Sequence, residues 1–488
     1  MPLLQLPNEL LLSILTELDS ERDINVFVRS NRHLYHNFNS YLYRHHVQHS
    51  RASALPWAAL RGREGTCRKL LDEGANTAIE NHNSSNAPLF LAVMSGHLDV
   101  VRLLLERDAV PNVKDETGRT PISWAAQNGH IAVVKLLLER GVGLDSEDEE
   151  GRTPLSWTAE RGHESIVTLL LERGARPDSK TSLGHTPLYY ASIQGSVPII
   201  NLLLERGADP DPKDIHHRTP LSLAAQNGHE KVVKLLLEHG ADLDSRSLRG
   251  RTPLSLAAHF GHESIAKLLL DRGSDPNLAN GFGQTPLSWA AQRGHISVIK
   301  LLREYGAAVD GVGTNGQTAL SWAAQDGDLQ MTRLLLEHGA AVDSQDQYRR
   351  TPLFIATLIA RDDIVEALLE HGSSAMHTPT CADRTPLSIA RDYNLTRIQQ
   401  LLDKASGTHP ETEIVKSTVS YDSDDAVIIC DSCGIDLPPY DFYFHCSICN
   451  DGNWDVCCEC HAHGALCADN HVLEKRAIRD GTSIRLFE

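Results

Sequence analysis

The stretch GRTPLSWTAERGHESIVTLLLERGARPD occupies residues 151–178, and closely related stretches begin at Gly118 and Gly250. When the copies are aligned on their Thr-Pro pair, a threonine recurs every 33 residues. An earlier, degenerate copy starts at Ala54, so about eleven copies of one unit fill roughly residues 54–404. The aligned positions are Ala87, Thr120, Thr153, Thr186, Thr219, Thr252, Thr285, Thr318 and Thr351, with Thr385 following after 34 residues.

Each copy encodes two short helices. Thr153 can cap the first helix with its hydroxyl group, and the proline that follows is tolerated at the first helical position. Leu155 and Ala159 then lie on one face, and Gly162 ends the helix because glycine tolerates the left-handed conformation. The second helix carries an apolar stripe that begins at Ile166. One such pair cannot bury its apolar faces alone, so the repetition predicts an all-α solenoid whose long concave side is available to a partner.

The period and the recurring TPL…A…G…LLL…GA pattern resemble ankyrin repeats over more than two thirds of the chain. One departure is systematic, because serine or tyrosine replaces the family's TPLH histidine. The replacement puts the family's histidine-centred hydrogen bonds between repeats in question, but it leaves the fold as predicted. The replaced positions are Ser123, Ser156, Tyr189, Ser222, Ser255, Ser288, Ser321 and Ser388.

The resemblance also implies which residues touch a partner on the concave face, namely those beside the turn tip and those near the end of the first helix. An arginine before Thr-Pro is also a common soluble filler in this family, so both interpretations stay open. The residues are Arg119, Gln127, Asn128, Arg152, Glu160, Arg161, Arg218, Arg251, His259, Phe260, Gln284 and Arg293.

Two further recurrent features of the repeats read as structural. Trp124, Trp157, Trp289 and Trp322 take a helix position that leucine normally fills, which favours packing over a ladder for stacking bases. The Gly-His pairs that open the second helices are too far apart for one metal ion.

The C-terminal part of the chain carries a dense set of potential metal ligands. Of ten cysteines, eight lie between Cys430 and Cys467. Two tetrahedral structural zinc ions need eight ligands, and three CxxC pairs together with Cys467 and His471 supply that number. Such pairs, in a chain whose start does not resemble a secretory signal, predict an intracellular protein, cytoplasmic or nuclear. The three pairs are Cys430/Cys433, Cys446/Cys449 and Cys457/Cys460.

The order CDSC, FHCSIC, NWDVCCEC and a final Cys…His resembles a ZZ-type zinc finger, a small cross-brace module that binds two structural Zn²⁺ ions. The resemblance implies that the first and third pairs share one zinc. The second pair and the last two ligands then share the other, with His461 and His463 left open as alternatives for those last two. The implied sites are Cys430, Cys433, Cys457 and Cys460, and Cys446, Cys449, Cys467 and His471.

Some ZZ fingers bind protein N-termini in an acidic pocket. The resemblance suggests Asp431, Asp451 and Asp455 as carboxylates that could pair with an α-ammonium group or an N-terminal arginine. The alternative is that Asp455 only hydrogen-bonds the fold while the other two are solvated.

The first fifty residues read as three short helices. The LPNELL stretch followed by RSNRHLY resembles an F-box, the module that docks onto a Skp-type adaptor of a cullin ubiquitin ligase. The resemblance implies that Leu6, Pro7 and Leu10 form the docking edge. The alternative is a helical cap that covers the first repeat. The predicted organisation is an F-box-like module (1–50), the repeat array (51–404), a flexible acidic Ser/Thr linker (405–425) and the zinc finger (426–480).

Composition excludes several classes of function. A net charge of −18 argues against nucleic acid and anionic membrane surfaces as partners. The sequence has no window of 18 apolar residues, so it predicts no membrane span. We find no phosphate-binding glycine loop, no nucleophile elbow and no HExxH helix, so we expect no catalysis. The leading hypothesis is a protein-binding substrate receptor of a cullin-type ubiquitin ligase. The alternative is a signalling or immunity scaffold with no ubiquitin role.

Overall fold

A computed structural model of the chain divides into two compact units, Met1–Leu248 and Arg249–Glu488. It describes 22 α-helices and six short strands, of which the strands are described by their backbone alone. The residues it describes are 11, 13, 54–77, 87–313, 315–381, 384–406, 428–429, 436–437, 442–446, 454–457, 474–479 and 482–485.

The helices come in pairs, and each pair is one repeat. In the first unit they are α1 (Ala54–Leu60), α2 (Glu64–Asp72), α3 (Pro88–Met94), α4 (Leu98–Glu106), α5 (Pro121–Gln127), α6 (Ile131–Glu139), α7 (Pro154–Arg161), α8 (Glu164–Glu172), α9 (Pro187–Gln194), α10 (Val197–Glu205), α11 (Pro220–Gln226) and α12 (Glu230–Glu238).

The second unit continues the same pattern and adds one 3₁₀ turn, Ala375–His377, in a connector. Its helices are α13 (Pro253–Phe260), α14 (Glu263–Asp271), α15 (Pro286–Gln292), α16 (Ile296–Glu304), α17 (Ala319–Asp326), α18 (Leu329–Glu337), α19 (Pro352–Leu358), α20 (Asp362–Glu370), α21 (Pro386–Asp392) and α22 (Thr396–Ser406).

The ends of the first helix in a repeat follow from its sequence. The hydroxyl of Thr153 accepts a hydrogen bond from the backbone N–H of Ser156 at 3.3 Å, and proline fills the first helical position. Gly162 ends the helix with a φ of 79°, in the left-handed region that glycine adopts without strain. These are the start and stop signals that the sequence predicts.

Burial between neighbouring repeats holds each unit together. Leu155 and Ala159 of α7, and Ile166 and Leu170 of α8, are almost fully buried. Within each unit the first helix of a repeat packs against the first helix of the next one, and second helices pack likewise. A fully buried leucine or isoleucine contributes about 1.5–3 kcal/mol, so the repeated apolar positions supply most of the stability. The predicted all-α repeat architecture, with eleven helix pairs in the described residues, is confirmed.

The Gly-His pairs are structural, as the sequence suggests. The Nε2 atom of His229, at the start of α12, lies 2.8 Å from the backbone oxygen of Ile193, near the end of the first helix of the preceding repeat. Equivalent hydrogen bonds join His97, His130, His163 and His295 to the ends of earlier first helices. Histidine therefore still bridges successive repeats, although from the second helix.

The serines that replace the family's TPLH histidine bond within their own turn. The Oγ of Ser222 donates to the backbone oxygen of Thr219 at 2.7 Å, and the N–H of Thr219 donates to that Oγ at 3.0 Å. The hydroxyl of Thr219 in turn lies 3.0 Å from that of Ser245, which belongs to the connector 26 residues further on. A threonine–serine contact thus links the helix start to the connector that follows.

The six strands form two antiparallel sheets in the second unit. The pair β1 and β2 forms one sheet, and the other has the order β4-β3-β5-β6. Their bounds are β1 (Ile428–Ile429), β2 (Asp436–Leu437), β3 (Phe442–Cys446), β4 (Trp454–Cys457), β5 (Glu474–Arg479) and β6 (Thr482–Arg485).

Most of the predicted end modules lie outside the described residues. The predicted linker 405–425 overlaps α22 at Ala405 and Ser406, while residues 407–425 and nearly all of 1–50 are outside the described residues, so those boundaries stay predictions. Of the helices that are described, none has the length and apolar character that a bilayer crossing requires.

Candidate functional site

Successive repeats are joined by a tight turn that ends one residue before the helix-capping threonine. We call this turn the finger, and in one repeat it comprises residues 148–152. The carboxylate of Asp148 accepts hydrogen bonds from the backbone N–H groups of Glu150 at 3.0 Å and Arg152 at 2.8 Å. A buried aspartate thus closes the finger from inside, and the same bonds recur at Asp115, Asp214 and Asp346.

Neighbouring fingers within a unit are joined through their backbones. The N–H of Glu149 donates to the oxygen of Thr117 at 3.0 Å, and the N–H of Ser182 donates to that of Glu150 at 2.9 Å. Gly118, with a φ of 76°, allows this approach, because a Cβ there would lie 2.9 Å from the nitrogen of Glu149. Within a unit, these neighbouring fingers therefore form a row that is held together by backbone hydrogen bonds.

Arginine and aromatic side chains alternate along this row in the first unit. The guanidinium carbon of Arg119 lies 4.8 Å from the ring centroid of Trp124 and 3.8 Å from that of Trp157. The guanidinium carbon of Arg152 lies 4.4 Å from the Trp157 ring and 5.0 Å from the Tyr190 ring. Each guanidinium is within the distance at which a cation is attracted to a π face, so the row is a ladder of cation–π contacts.

Hydrogen bonds fix the ladder to the first helices. The Nη1 atom of Arg119 donates to Gln127 at 3.0 Å, and Nη1 of Arg152 donates to Glu160 at 2.9 Å. The indole N–H of Trp124 donates to Asp115 at 2.7 Å, and that of Trp157 donates to Asp148 at 3.2 Å. The residue before the threonine therefore contacts the residue eight positions later. The sequence alone does not predict this contact.

The buried charges of the ladder are compensated. Burial raises the pKa of Asp115, but the hydrogen bonds that Trp124 and Thr117 donate outweigh it and leave the pKa below its usual value. Burial lowers the pKa of Arg119, and nearby Asp148 and Asp115 oppose that effect. Both groups are charged at neutral pH, so the ladder presents partly buried cations beside aromatic faces.

The next repeat carries a histidine where its neighbours carry arginine. The His185 ring stacks on Tyr189 with 3.9 Å between centroids. Arg218 donates to Asp214 at 2.7 Å and to the hydroxyl of Tyr189 at 2.8 Å. Burial lowers the pKa of His185 despite the nearby carboxylate of Asp214, so the ring is neutral at pH 7 and acts as an aromatic member of the row.

The second unit repeats the motif with other partners. The guanidinium carbon of Arg251 lies 4.5 Å from the Trp289 centroid, and His259 meets the same ring edge-on at 4.6 Å. Burial, together with the positive charges of Arg293 and Arg251, lowers the pKa of His259 to about 4. The exposed ring of Phe260 lies edge-on to His259, which places an apolar face at the end of α13.

The predicted contact residues divide into two groups by exposure. Asn128, Arg161, Phe260 and Arg293 are exposed, while the others are half-buried in the intramolecular contacts of the row. Sequence reasoning missed Asp115, Asp148 and Asp214, although an aspartate five residues before the threonine is visible once copies are aligned. The half-buried residues are Arg119, Gln127, Arg152, Glu160, Arg218, Arg251, His259 and Gln284.

The predicted end-module residues lie largely beyond the described residues. Cys446, Cys457 and Asp455 lie in strands whose backbone alone is described, and in the register of β3 and β4, Cys446 is opposite Trp454 while Cys457 is opposite Tyr443. The other candidates lie outside the described residues, namely Leu6, Pro7, Leu10, Cys430, Asp431, Cys433, Cys449, Asp451, Cys460, Cys467 and His471.

Comparison with known families agrees with this architecture. A family model described as ankyrin repeats in three copies matches residues 30–115, 55–148, 89–181, 122–214, 211–280 and 254–346. Because these matches run together from residue 30 to residue 346, more than half of its length, the chain belongs to the ankyrin-repeat family. No curated protein matches the chain significantly. Membership indicates a role in protein–protein interaction, and proteins of this family are generally non-catalytic.

Proposed function

We propose that this protein is a substrate receptor that captures a client protein on the row of fingers and first helices. The supporting geometry is the ladder around Arg119, Trp157 and Arg152, in which the buried Trp157 ring holds two half-buried arginines beside exposed Asn128 and Arg161. Arginine is one of the residues enriched among the hot spots that dominate the binding energy of protein interfaces. Fixed side chains also lose little conformational entropy on binding, which favours affinity.

The N-terminal segment would connect the captured client to a ubiquitin ligase. The observation that carries this part is that a stretch resembling an F-box precedes a protein-binding array in one chain. In this proposal Leu6, Pro7 and Leu10 contact a Skp-type adaptor, and the repeats position the client. The linker 405–425 would let a second module, the zinc finger, engage the same client and raise its effective concentration.

Co-purification tests the receptor proposal. We expect the intact chain, expressed in cells, to retain a Skp-type adaptor, and Leu6→Ala/Pro7→Ala to lose it. Pro2→Ala/Leu3→Ala, a similar proline–leucine change a few residues earlier, is the matched control and should keep the adaptor. A chain that retains client proteins but no adaptor is instead a scaffold for signalling or immunity.

For the C-terminal module we propose two structural Zn²⁺ ions, held as the ZZ resemblance implies. The strand register supports placing Cys446 and Cys457 on different ions. Cys457 is opposite Tyr443, three positions before Cys446, so the two cysteines are about 10 Å apart along the strands. Two thiolates that share one tetrahedral zinc, each at about 2.3 Å, have sulfur atoms within about 4 Å of each other, which limits the distance between their Cα atoms to roughly 9 Å. Zinc would supply much of the folding free energy of so small a module.

Metal analysis of the full chain tests this proposal. We expect two zinc ions per chain after purification without chelators, and a loss of zinc in Cys433→Ser and in Cys449→Ser. Cys458→Ser is the matched control, because Cys458 lies among the ligands but is not needed for either site. His471→Ala and His463→Ala then separate the two assignments of the last ligand. A chain that contains no zinc would exclude the module as proposed.

The carboxylates Asp431, Asp451 and Asp455 form the proposed pocket for a protein N-terminus. A peptide with a free α-ammonium group should bind the zinc-loaded chain more tightly than its N-acetylated form. Asp431→Asn should remove that preference without releasing zinc. Equal binding of both peptides would indicate that these aspartates only stabilise the fold or are solvated.

A further inference from the structure

One repeat of the second unit has an open cavity in the row of fingers. Its volume is about 170 Å³, and it lies beside the ring of Trp322 at the start of α17. The walls are aromatic and amide groups without a formal charge. They comprise Phe282, Gln284, Gly313, Asn315, Gln317 and Trp322.

Three other repeats have tryptophan at the position of Trp322, and in each of them an arginine of the same chain covers the ring. The guanidinium carbons of Arg119, Arg152 and Arg251 lie 4.8, 4.4 and 4.5 Å from the centroids of Trp124, Trp157 and Trp289, respectively. These contacts show that a tryptophan ring at this position can be covered by a guanidinium group.

Glutamine replaces both arginines that could cover Trp322. Arg251 reaches Trp289 from the preceding finger, and the equivalent residue for Trp322 is Gln284. Arg152 reaches Trp157 from the same repeat, and the equivalent residue is Gln317. Across the part of the chain that the structure describes, no guanidinium lies over the Trp322 ring.

The acidic partner of the tryptophan is missing from the same repeat. Trp124 and Trp157 donate their indole N–H to Asp115 and Asp148, each nine residues earlier. The residue nine positions before Trp322 is Gly313, which has no side chain, so no described residue accepts a hydrogen bond from this indole. The cavity therefore opens in the repeat where the chain's own cation and carboxylate are both absent.

We propose that this cavity, which we call the Trp322 pocket, binds an arginine side chain of a partner protein. The inference rests on the proposed protein-binding function but requires no ubiquitin ligase. The guanidinium stacks on Trp322 and donates to amide oxygens of the wall. The side-chain nitrogen of Gln317, a wall residue, donates to Gln325 at 3.3 Å, so the polar group that Gln317 has left for a ligand is its amide oxygen, an acceptor.

The chemistry of the wall favours arginine over lysine. A planar guanidinium stacks on an aromatic face and offers five N–H donors to several acceptors, whereas an ammonium group is compact and strongly hydrated. The wall includes the amide groups of Asn315 and Gln317, and the oxygen of Gln284 keeps one lone pair beside the hydrogen bond that it accepts from Asn280 at 3.1 Å. The net charge of −18 also attracts a basic partner at long range.

The pocket is tested with the full chain carrying ¹⁵N-labelled tryptophan. The probe is the capped tripeptide acetyl-Gly-Arg-Gly-amide, and the comparison peptides carry citrulline or lysine in place of arginine. We expect the arginine peptide to shift the indole signal that Trp322→Leu removes. Citrulline, a neutral isostere of arginine, should bind about tenfold more weakly because it lacks the cation.

Two variants and one control examine the site itself. Gln284→Arg should fill the pocket with a guanidinium of the chain and weaken peptide binding about tenfold or more. Trp322→Leu should abolish binding, and it should fold because leucine occupies this position as Leu223 and Leu256. Trp289→Leu removes a tryptophan that is already covered by Arg251, so it should bind the arginine peptide like the unmodified chain.

The outcomes are distinguishable from those of the proposed function. Equal binding of the citrulline peptide, unchanged binding by Gln284→Arg, or equal binding of the lysine peptide would each overturn the arginine assignment. A client retained equally by the unmodified chain and by Trp322→Leu would also overturn it, while leaving the receptor function intact. Binding of the arginine peptide by a chain that retains no adaptor would support the pocket and reject the ubiquitin role.

Discussion

The guanidinium group of Arg119 lies over the indole ring of Trp157, with 3.8 Å between the guanidinium carbon and the ring centroid. The two residues belong to successive repeats, so the contact fastens one repeat to the next. It also shows that Arg119, which precedes a Thr-Pro pair, makes a contact within the chain, so its side chain has a structural role whether or not it also binds a partner. Part of the Arg119 surface is committed to contacts within the chain, and only the remainder is exposed to solvent.

We predict that Arg119 and Trp157 are energetically coupled. Both can be replaced by residues that this chain uses at the same positions, as Arg119→Gln (compare Gln284) and Trp157→Leu (compare Leu223). A double-mutant cycle in urea should give a coupling free energy of about 1 kcal/mol, because the contact is partly shielded from water. Arg119→Gln combined with Arg218→Gln shares no contact and should be additive. Additivity of the first pair would show that the stacking is energetically neutral.

The sequence predicts the elements of this fold better than the contacts between them. The cap at Thr153, the stop at Gly162 and the buried face of Leu155 follow from local rules, and all three are observed. The approach of Arg119 to Trp157 depends on how two repeats stack, which no local rule contains. The Trp322 pocket was not predicted either. It depends on Gly313 and Gln284, which replace the aspartate and the arginine that other repeats have at these positions, and the effect of these replacements is apparent only when the contacts of the other repeats are known.

A row of carboxylates in the connectors offers a second test. Asp211 accepts a hydrogen bond from the N–H of Asp242, and burial, followed by repulsion from Asp242 and Asp209, raises its pKa. A raised folded-state pKa means that ionised Asp211 costs stability, fully at neutral pH and less as the pH falls toward 3.8. We expect Asp211→Asn to raise the free energy of unfolding by about 0.5 kcal/mol at pH 7, and by less near pH 4.

The matched substitution for that prediction is Asp145→Asn. Asp145 occupies the equivalent position but also pairs with the guanidinium of Arg176 at 3.2 Å. Asp145→Asn should therefore leave the free energy of unfolding at pH 7 unchanged or lower it slightly. Asparagine suits this position, because Asn277 accepts the equivalent hydrogen bond from the N–H of Ala308. Equal effects of the two substitutions, measured by urea unfolding, would contradict the repulsion argument.

Two glycines of one repeat separate backbone strain from side-chain crowding. Gly195 and Gly207 both have a positive φ, of 73° and 84°. A Cβ at Gly207 would meet nothing within 4 Å, whereas one at Gly195 would lie 2.5 Å from Nδ1 of His229. Gly207→Ala should therefore cost about 1 kcal/mol, from backbone strain alone. Gly195→Ala should cost about 2–3 kcal/mol, because the ring must also move and weaken its bond to Ile193.

Adding His229→Ala to each glycine variant tests the cause. In the Gly195→Ala background the histidine change should cost clearly less than in the unmodified chain, because the crowding is already relieved. In the Gly207→Ala background it should cost the same as in the unmodified chain. Identical costs in all three backgrounds, from thermal or urea unfolding, would rule out the ring contact as the reason.

The lowered pKa of His259, about 4, predicts a specific dependence of stability on pH. The folded state keeps this ring neutral, whereas in the unfolded chain it binds a proton below its ordinary pKa of 6.5. The unfolded state therefore gains protons as the pH falls from 6.5 to 4, and the folded state is destabilised over that window.

His259→Gln should remove this pH dependence, and the chain already has glutamine at the equivalent position in other repeats, as Gln127 and Gln292. The difference in free energy of unfolding between His259→Gln and the unmodified chain should be about 1 kcal/mol more favourable to the variant at pH 5 than at pH 7.5. This value allows for the partial exposure of the ring. Arg293→Gln should reduce the slope by removing one of the cations that lower the pKa. Parallel pH profiles for the unmodified chain and His259→Gln would show that His259 titrates alike in both states.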